Sequence, residues 1–281
     1  MPGYFGANLE GIKPLNYDEY LKVPQLINLQ ECRSTPAHHD EMLFIIIHQT
    51  YELWFRLILH ECDSAMIAMK NDDLFLAERQ LGRIVEINRI LVPQIHILET
   101  MLPVDFLAFR DHLKPASGFQ SAQFREVEFS CGLKDERILA AFADQPEALE
   151  RLKQRLAAPT LADAFYQLLA RRGFDVTVPP PRSESETWNN WQEQVVKELL
   201  KVYLTPSQHY DIYRLAERLV EVDEYTNLWR FHHLRMVERM IGNKFGTGGS
   251  EGIGYLQRTL GNKFFPELWQ VRTHLEKFNN S

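Results

Sequence analysis

Apolar residues recur every three or four positions over most of the chain. That period places them on one face of an α-helix. It predicts helices over residues 17–30, 39–70, 73–101, 146–157, 160–171, 187–203, 206–241 and 264–278. Asp40 and Asp72 stand where a short side-chain oxygen caps the second and third of these. Pro206 stands early in the helix at 206–241, where its missing N–H costs nothing. No stretch keeps the two-residue alternation of a strand. The expected fold class is all-α.

Two regions break the helical pattern. Residues 114–132 begin as a loop and are expected to re-enter a helix near Gln120. Residues 242–254, Gly-Asn-Lys-Phe-Gly-Thr-Gly-Gly-Ser-Glu-Gly-Ile-Gly, form a glycine-rich loop between helices. Val178-Pro-Pro-Pro-Arg182 reads as a rigid linker after the helical pair at 146–171. That pair is expected to be a hairpin inserted into a bundle that otherwise forms one domain over residues 1–281. There is no internal repeat.

Composition narrows the classes. The 281 residues are enough for a substantial core. With 45% hydrophobic and 25% charged residues, the balance is that of a globular protein. The net charge of −7 carries no basic block, which argues against a nucleic-acid partner. Cys32, Cys62 and Cys131 are far apart and odd in number, so a reducing cytoplasm is expected rather than a disulfide framework. The N-terminus lacks a basic region leading into a long apolar core, so no secretory signal is expected. Uninterrupted apolar runs span only a few residues, and no membrane-spanning segment is expected.

Candidate chemistry lies on three segments. In Phe44-Ile-Ile-Ile-His48-Gln-Thr-Tyr-Glu-Leu-Trp-Phe55, helical spacing puts Phe44, His48, Tyr51, Glu52 and Phe55 on one face. An imidazole among large aromatics needs a partner: another side chain, a metal or a ligand. A second face carries Trp229, His233, Met236, Val237 and Met240, while His232 points to a more polar side. Such a histidine suits a core position, and it also suits a haem pocket with one imidazole nitrogen on iron. Arg110 ends Phe106-Leu-Ala-Phe-Arg and runs into the Ser117-Gly-Phe-Gln turn, a place for clamping a carboxylate through two hydrogen bonds. The glycine loop, with Thr247 and Ser250, fits a cover over a ligand or a plain connection. It has no Walker pattern. There is no HExxH, no GxSxG, and no pair of Glu-x-x-His repeats for a diiron bundle.

Together these residues resemble the tryptophan 2,3-dioxygenase family. The motifs are Phe44-Ile-Ile-Ile-His-Gln-Thr-Tyr-Glu-Leu-Trp-Phe, Phe106-Leu-Ala-Phe-Arg, Pro115-Ala-Ser-Gly-Phe-Gln-Ser-Ala-Gln-Phe-Arg, Leu228-Trp-Arg-Phe-His-His and Met240-Ile-Gly-Asn-Lys-Phe-Gly-Thr-Gly-Gly-Ser. Their order fits the family from about residue 15 to 275, with little of it in 146–186. The resemblance implies an α-helical homotetramer with one b-type haem per subunit, ferrous when active. Its reaction inserts both atoms of O2 across the indole C2–C3 bond of L-tryptophan, giving N-formyl-L-kynurenine at the start of the kynurenine pathway. It makes His233 the iron ligand and places His48 by the indole N–H. It pairs Arg110 with the substrate carboxylate and places Thr247 near the substrate ammonium. Phe44 and Phe106 wall the indole. Tyr17, Tyr20 and Leu21 are expected to complete the pocket of a neighbouring subunit. Phe106 replaces a tyrosine found in some members, Pro24 interrupts the first helix, and Glu251 stands where a serine is expected. The alternatives are a related indole-oxidising haem protein acting on a differently substituted ring, a haem sensor or carrier without turnover, and a purely structural bundle.

Overall fold

The structure is a computed structural model describing residues 15–182, 184–244, 246 and 252–275. Its helices are α1 (Tyr17–Leu21), α2 (Val23–Leu26), α3 (His39–Lys70), α4 (Leu74–Leu98), α5 (Pro103–Arg110) and α6 (Ala122–Ser130). They continue as α7 (Pro146–Ala157), α8 (Leu161–Arg171), α9 (Ser185–Leu204), α10 (Tyr210–Ile241), α11 (Ile253–Thr259) and α12 (Pro266–His274). There is no strand among the described residues, as the periodicity predicts.

Three long helices build the frame. α4 lies between α3 and α10 and packs on both. At 1.5 Å per residue the 32-residue α3 and α10 each run about 48 Å. Their inward faces meet through Ile58, Cys62, Ala65, Leu81, Ile84, Leu91, Leu215 and Leu219, all buried. Each Leu or Ile so buried contributes about 1.5–3 kcal/mol relative to exposure. α6 and α8 cover α3, and α12 lies on α9. Of the pair at 146–171, α8 feeds Phe165, Tyr166, Leu168 and Leu169 into the main core. α7 packs on α6 over a smaller cluster of Phe129, Phe142, Ala148 and Leu152.

Several boundaries differ from the sequence expectation. The helix expected at 17–30 is split at Lys22, which takes a left-handed conformation (φ 55°) just before Pro24. Asp40 and Asp72 do not cap α3 and α4. The caps are His38, accepting from the Asp40 N–H, and Asp73, accepting from the Leu76 N–H. Pro206 lies in the turn before α10, which begins at Tyr210. α10 ends where Gly242 takes φ 56°, a conformation that costs glycine little.

By length and mean hydropathy (1.3), α3 could span a membrane, contrary to the expectation from uninterrupted runs. Its buried positions include Glu41 and Glu61, and it packs against α4, α6 and α8, as a core helix does. One further feature positions the site. α4 turns by 90° into the α5 segment, which lays Phe106 and Arg110 across the frame near the start of α3.

Candidate active site

A cavity of about 530 Å³ opens between α3, α5, α10, α11 and the turn at 117–121. This is within the usual size of a small-molecule site. Both helix faces read from the sequence line it completely. Phe44, His48, Tyr51, Glu52 and Phe55 come from α3, and Trp229, His233, Met236, Val237 and Met240 from α10. Arg110 and Phe106 reach it from α5.

His48 lies on the α3 side. Its Nδ1–H donates to the Phe44 carbonyl at 2.7 Å. A carbonyl can only accept, so the proton sits on Nδ1 and Nε2 keeps a lone pair. Burial holds the imidazole below its ordinary pKa, against the Phe44 carbonyl and the charge of Glu52. It is therefore neutral at pH 7. The rings of Phe44 and His48 are 4.1 Å apart, and Phe106 stacks on Phe44 at 5.6 Å. These rings give this end of the cavity flat apolar walls.

His233 is on α10, one turn beyond Trp229, whose ring stacks on it at 5.4 Å and 8°. Burial, with a smaller effect of His48, lowers its pKa to about 4, so it too is a neutral base. No group of three or more His, Cys, Asp or Glu converges among the described residues. A metal at His233 would thus have one protein ligand and need its other donors from elsewhere. A porphyrin supplies four nitrogens in a plane, and a single neutral imidazole with apolar walls fits that donor set.

Polar groups that the sequence reading did not single out also line the cavity. Glu128 sits between two arginines, accepting from Arg125 at 2.7 Å and from Arg230 at 2.9 Å. All three are at most 5% exposed. Arg230 also feels the charge of the buried Asp223, and the Nε of each arginine is buried without a partner. A buried donor left without a partner is costly unless an acceptor satisfies it. Arg125 is further enclosed by Phe119, Phe124 and Tyr255 at 4.8, 5.5 and 5.8 Å. A cofactor carrying carboxylates fits these free donors. The signal available in the sequence was Arg230 itself, a charge three residues before His233 and so on the same face.

Glu52 binds the cavity to the turn after α5. It accepts the Ser121 hydroxyl at 2.6 Å and the Gln123 amide at 2.8 Å. Ser117 and Gln120 close a capping box that shapes this turn. Thr247 and Glu251 lie outside the described residues, although Gly246 and Gly252 on either side line the cavity. Tyr17 and Tyr20 are 74% and 70% exposed and do not line this chain's own cavity.

The residues that make the site are carried by a chain with close relatives. The family model described as tryptophan 2,3-dioxygenase matches residues 6–204 and 198–275. A tryptophan 2,3-dioxygenase of Bacillus thuringiensis (strain Al Hakam) is 41% identical over 277 residues, covering 96% of each chain. One from Kineococcus radiotolerans is 42% identical over 270 residues, covering 96% of this chain and 94% of its own. One from Xanthomonas oryzae pv. oryzae (strain PXO99A) is 41% identical over 270 residues, covering 95% of this chain and 89% of its own. Because the match runs through α3, α5, α10 and nearly everything between, the chain belongs to the tryptophan 2,3-dioxygenase family.

Proposed function

We propose that this chain is a haem-dependent dioxygenase that opens the indole ring of L-tryptophan with O2, yielding N-formyl-L-kynurenine for the kynurenine pathway. The observation that carries the site assignment is the pair of neutral imidazoles, His48 on α3 and His233 on α10, lining one apolar cavity together with Arg110. Family membership supports the reaction.

Haem b, ferrous in the working state, supplies the dioxygen chemistry when bound. His233 would hold its iron, and the unpartnered Nε groups of Arg125 and Arg230 would meet its carboxylates. Every other step belongs to this chain's side chains. His48 accepts the indole N–H through Nε2, because its other nitrogen is committed to the Phe44 carbonyl. Phe44 and Phe106 hold the ring flat and keep water out. Arg110 pairs with the substrate carboxylate. Thr247 is assigned to the ammonium end. The indole N–H is a very weak acid, so positioning is a more economical role for His48 than proton removal.

We read the molecule as one domain over residues 1–281, assembled as a cytoplasmic homotetramer. Support for assembly comes from α1 and α2, where Tyr17, Tyr20, Leu21, Leu26 and Ile27 are exposed. Exposed apolar residues gathered on one short segment suit an interface. Tyr17, Tyr20 and Leu21 are assigned to a neighbour's pocket. The deciding experiment is to add tryptophan and O2 to the ferrous protein. A Soret band with no formylkynurenine product would leave a haem carrier. Absence of the Soret band would remove the haem reading.

A further inference from the structure

We propose that Gln49 and Glu41 are positioning residues that hold α1 and α2 in place for the pocket of a neighbouring subunit. Their role rests on α1 serving that pocket, as proposed above. α1 and α2 bury none of their own residues and pack on each other. Tyr17, Tyr20 and Leu21 therefore face outward. Their place is set by the segment behind them, residues 28–38, which contains neither helix nor strand.

Two α3 side chains grip that segment. The Gln49 amide donates to the Leu29 carbonyl at 3.1 Å, and its oxygen accepts from the Gln30 amide at 2.6 Å. Gln30 also donates to the Leu26 carbonyl, at the end of α2, at 3.0 Å. Glu41, 0% exposed, accepts from the Arg33 N–H at 2.6 Å, the Ser34 N–H at 3.1 Å and the Ser34 hydroxyl. The Ser34 oxygen in turn accepts from the His38 N–H at 2.8 Å. A carboxylate is costly to bury unless donors meet it, and these three donors come from the one segment. A plain surface connection does not need such an anchor.

The same stretch of α3 belongs to the reaction cavity. Gln49 directly follows His48, and Glu41 precedes Phe44 by one turn. His38, where the segment enters α3, lies against Phe109 at 5.5 Å. Phe109 lies against Phe44 and Phe106 at 5.8 and 5.4 Å. About three turns of α3 thus carry a subunit's own aromatic wall and set the place of the arm it lends. An arm arranged beforehand loses less conformational freedom when it docks.

The test separates action on a neighbour from action on the adjacent His48. Gln49→Ala should keep its Soret band and kcat, and its tryptophan KM should rise about tenfold through the loss of two neutral hydrogen bonds. Glu41→Gln, which replaces one acceptor oxygen by a donor, should act in the same direction. Gln49→Ala and Arg110→Ala chains are then coexpressed with different tags, and mixed assemblies are purified. A Gln49→Ala pocket that receives the arm of an Arg110→Ala neighbour is intact, so turnover at the wild-type KM should return. Tyr20→Ala mixed with Arg110→Ala is the control and should be restored in the same way. An unchanged KM in either variant would overturn the proposal. So would mixed assemblies no better than their parents while the Tyr20→Ala control is restored. Failure of the control as well would show that α1 serves no neighbour, and the assembly reading would fall together with the proposal.

Discussion

The side chain with the most constrained chemistry is His48. Its Nδ1–H is fixed on a backbone carbonyl and its pKa lies below 6.5, so Nε2 is an acceptor throughout the neutral range. One neutral hydrogen bond contributes roughly 0.5–1.5 kcal/mol, or about two- to tenfold in rate. His48→Ala should therefore keep measurable turnover of tryptophan with haem intact, and total loss would make His48 an essential acid–base group. Protonation at low pH turns Nε2 from acceptor into donor. The wild-type rate should thus fall on the acid side of 6.5, and the His48→Ala profile should lack that limb. Arg110 is a different case, because it meets a charge. Its removal should cost on the order of 2–5 kcal/mol in transition-state stabilisation. The readout is selectivity: Arg110→Ala should lose the preference for tryptophan over tryptamine, and a surviving preference would assign the clamp to another group. For His233, replacement by Ala should yield protein with little haem, and a normal Soret band would refute the ligand assignment.

At the scale of elements, the site is a junction between α3, α5, α10 and the turn at 117–121. Glu52 makes that junction by taking Ser121 and Gln123 together. Glu52→Ala leaves the Ser121 hydroxyl without its acceptor, while the Gln123 amide keeps the Glu52 backbone carbonyl at 3.0 Å, at a cost of about 1–3 kcal/mol. Glu52→Gln keeps an amide oxygen for Ser121 and should recover part of the loss. Urea midpoints of the three proteins test this, and equal midpoints would mean that the junction is held elsewhere. The same junction explains what the sequence disclosed. Faces on a single helix were legible, because spacing alone places His48 with Phe44 and His233 with Trp229. α3 and α7 were also legible to the residue, since long amphipathic runs leave little choice of boundary. α5, α6 and α11 are seven to nine residues long, too short for periodicity to stand out. The grouping of Arg125, Glu128 and Arg230 was not legible, since the first two come from α6 and the third from α10, and only packing brings them together. Lys22 broke the first helix through a left-handed backbone that no apolar spacing encodes.

At the scale of the whole molecule, the second half closes over a buried polar centre. Glu267 on α12 accepts the Tyr166 hydroxyl from α8. Asp223 on α10 takes the backbone N–H groups of Phe264 and Phe265 at 3.0 and 3.3 Å, and the Trp269 indole at 2.9 Å. Arg182, from the proline linker, donates to the Lys263 and Phe264 carbonyls at 2.9 and 2.7 Å. Burial raises the Glu267 pKa from 4.5 to about 7, more than Tyr166 and Arg182 lower it. A carboxyl whose pKa is raised by folding binds its proton more tightly in the folded state. Its contribution is then full below about 4.5 and is lost as pH rises through 7. The span corresponds to about 3 kcal/mol. Asp223 is raised by burial as well and acts in the same direction. Wild-type protein should therefore have a lower urea midpoint at pH 8 than at pH 6. Glu267→Gln holds the site neutral at both values, so the gap should narrow. An unchanged gap would show that Glu267 is ionised in the folded protein at both values, with Arg182 compensating its charge.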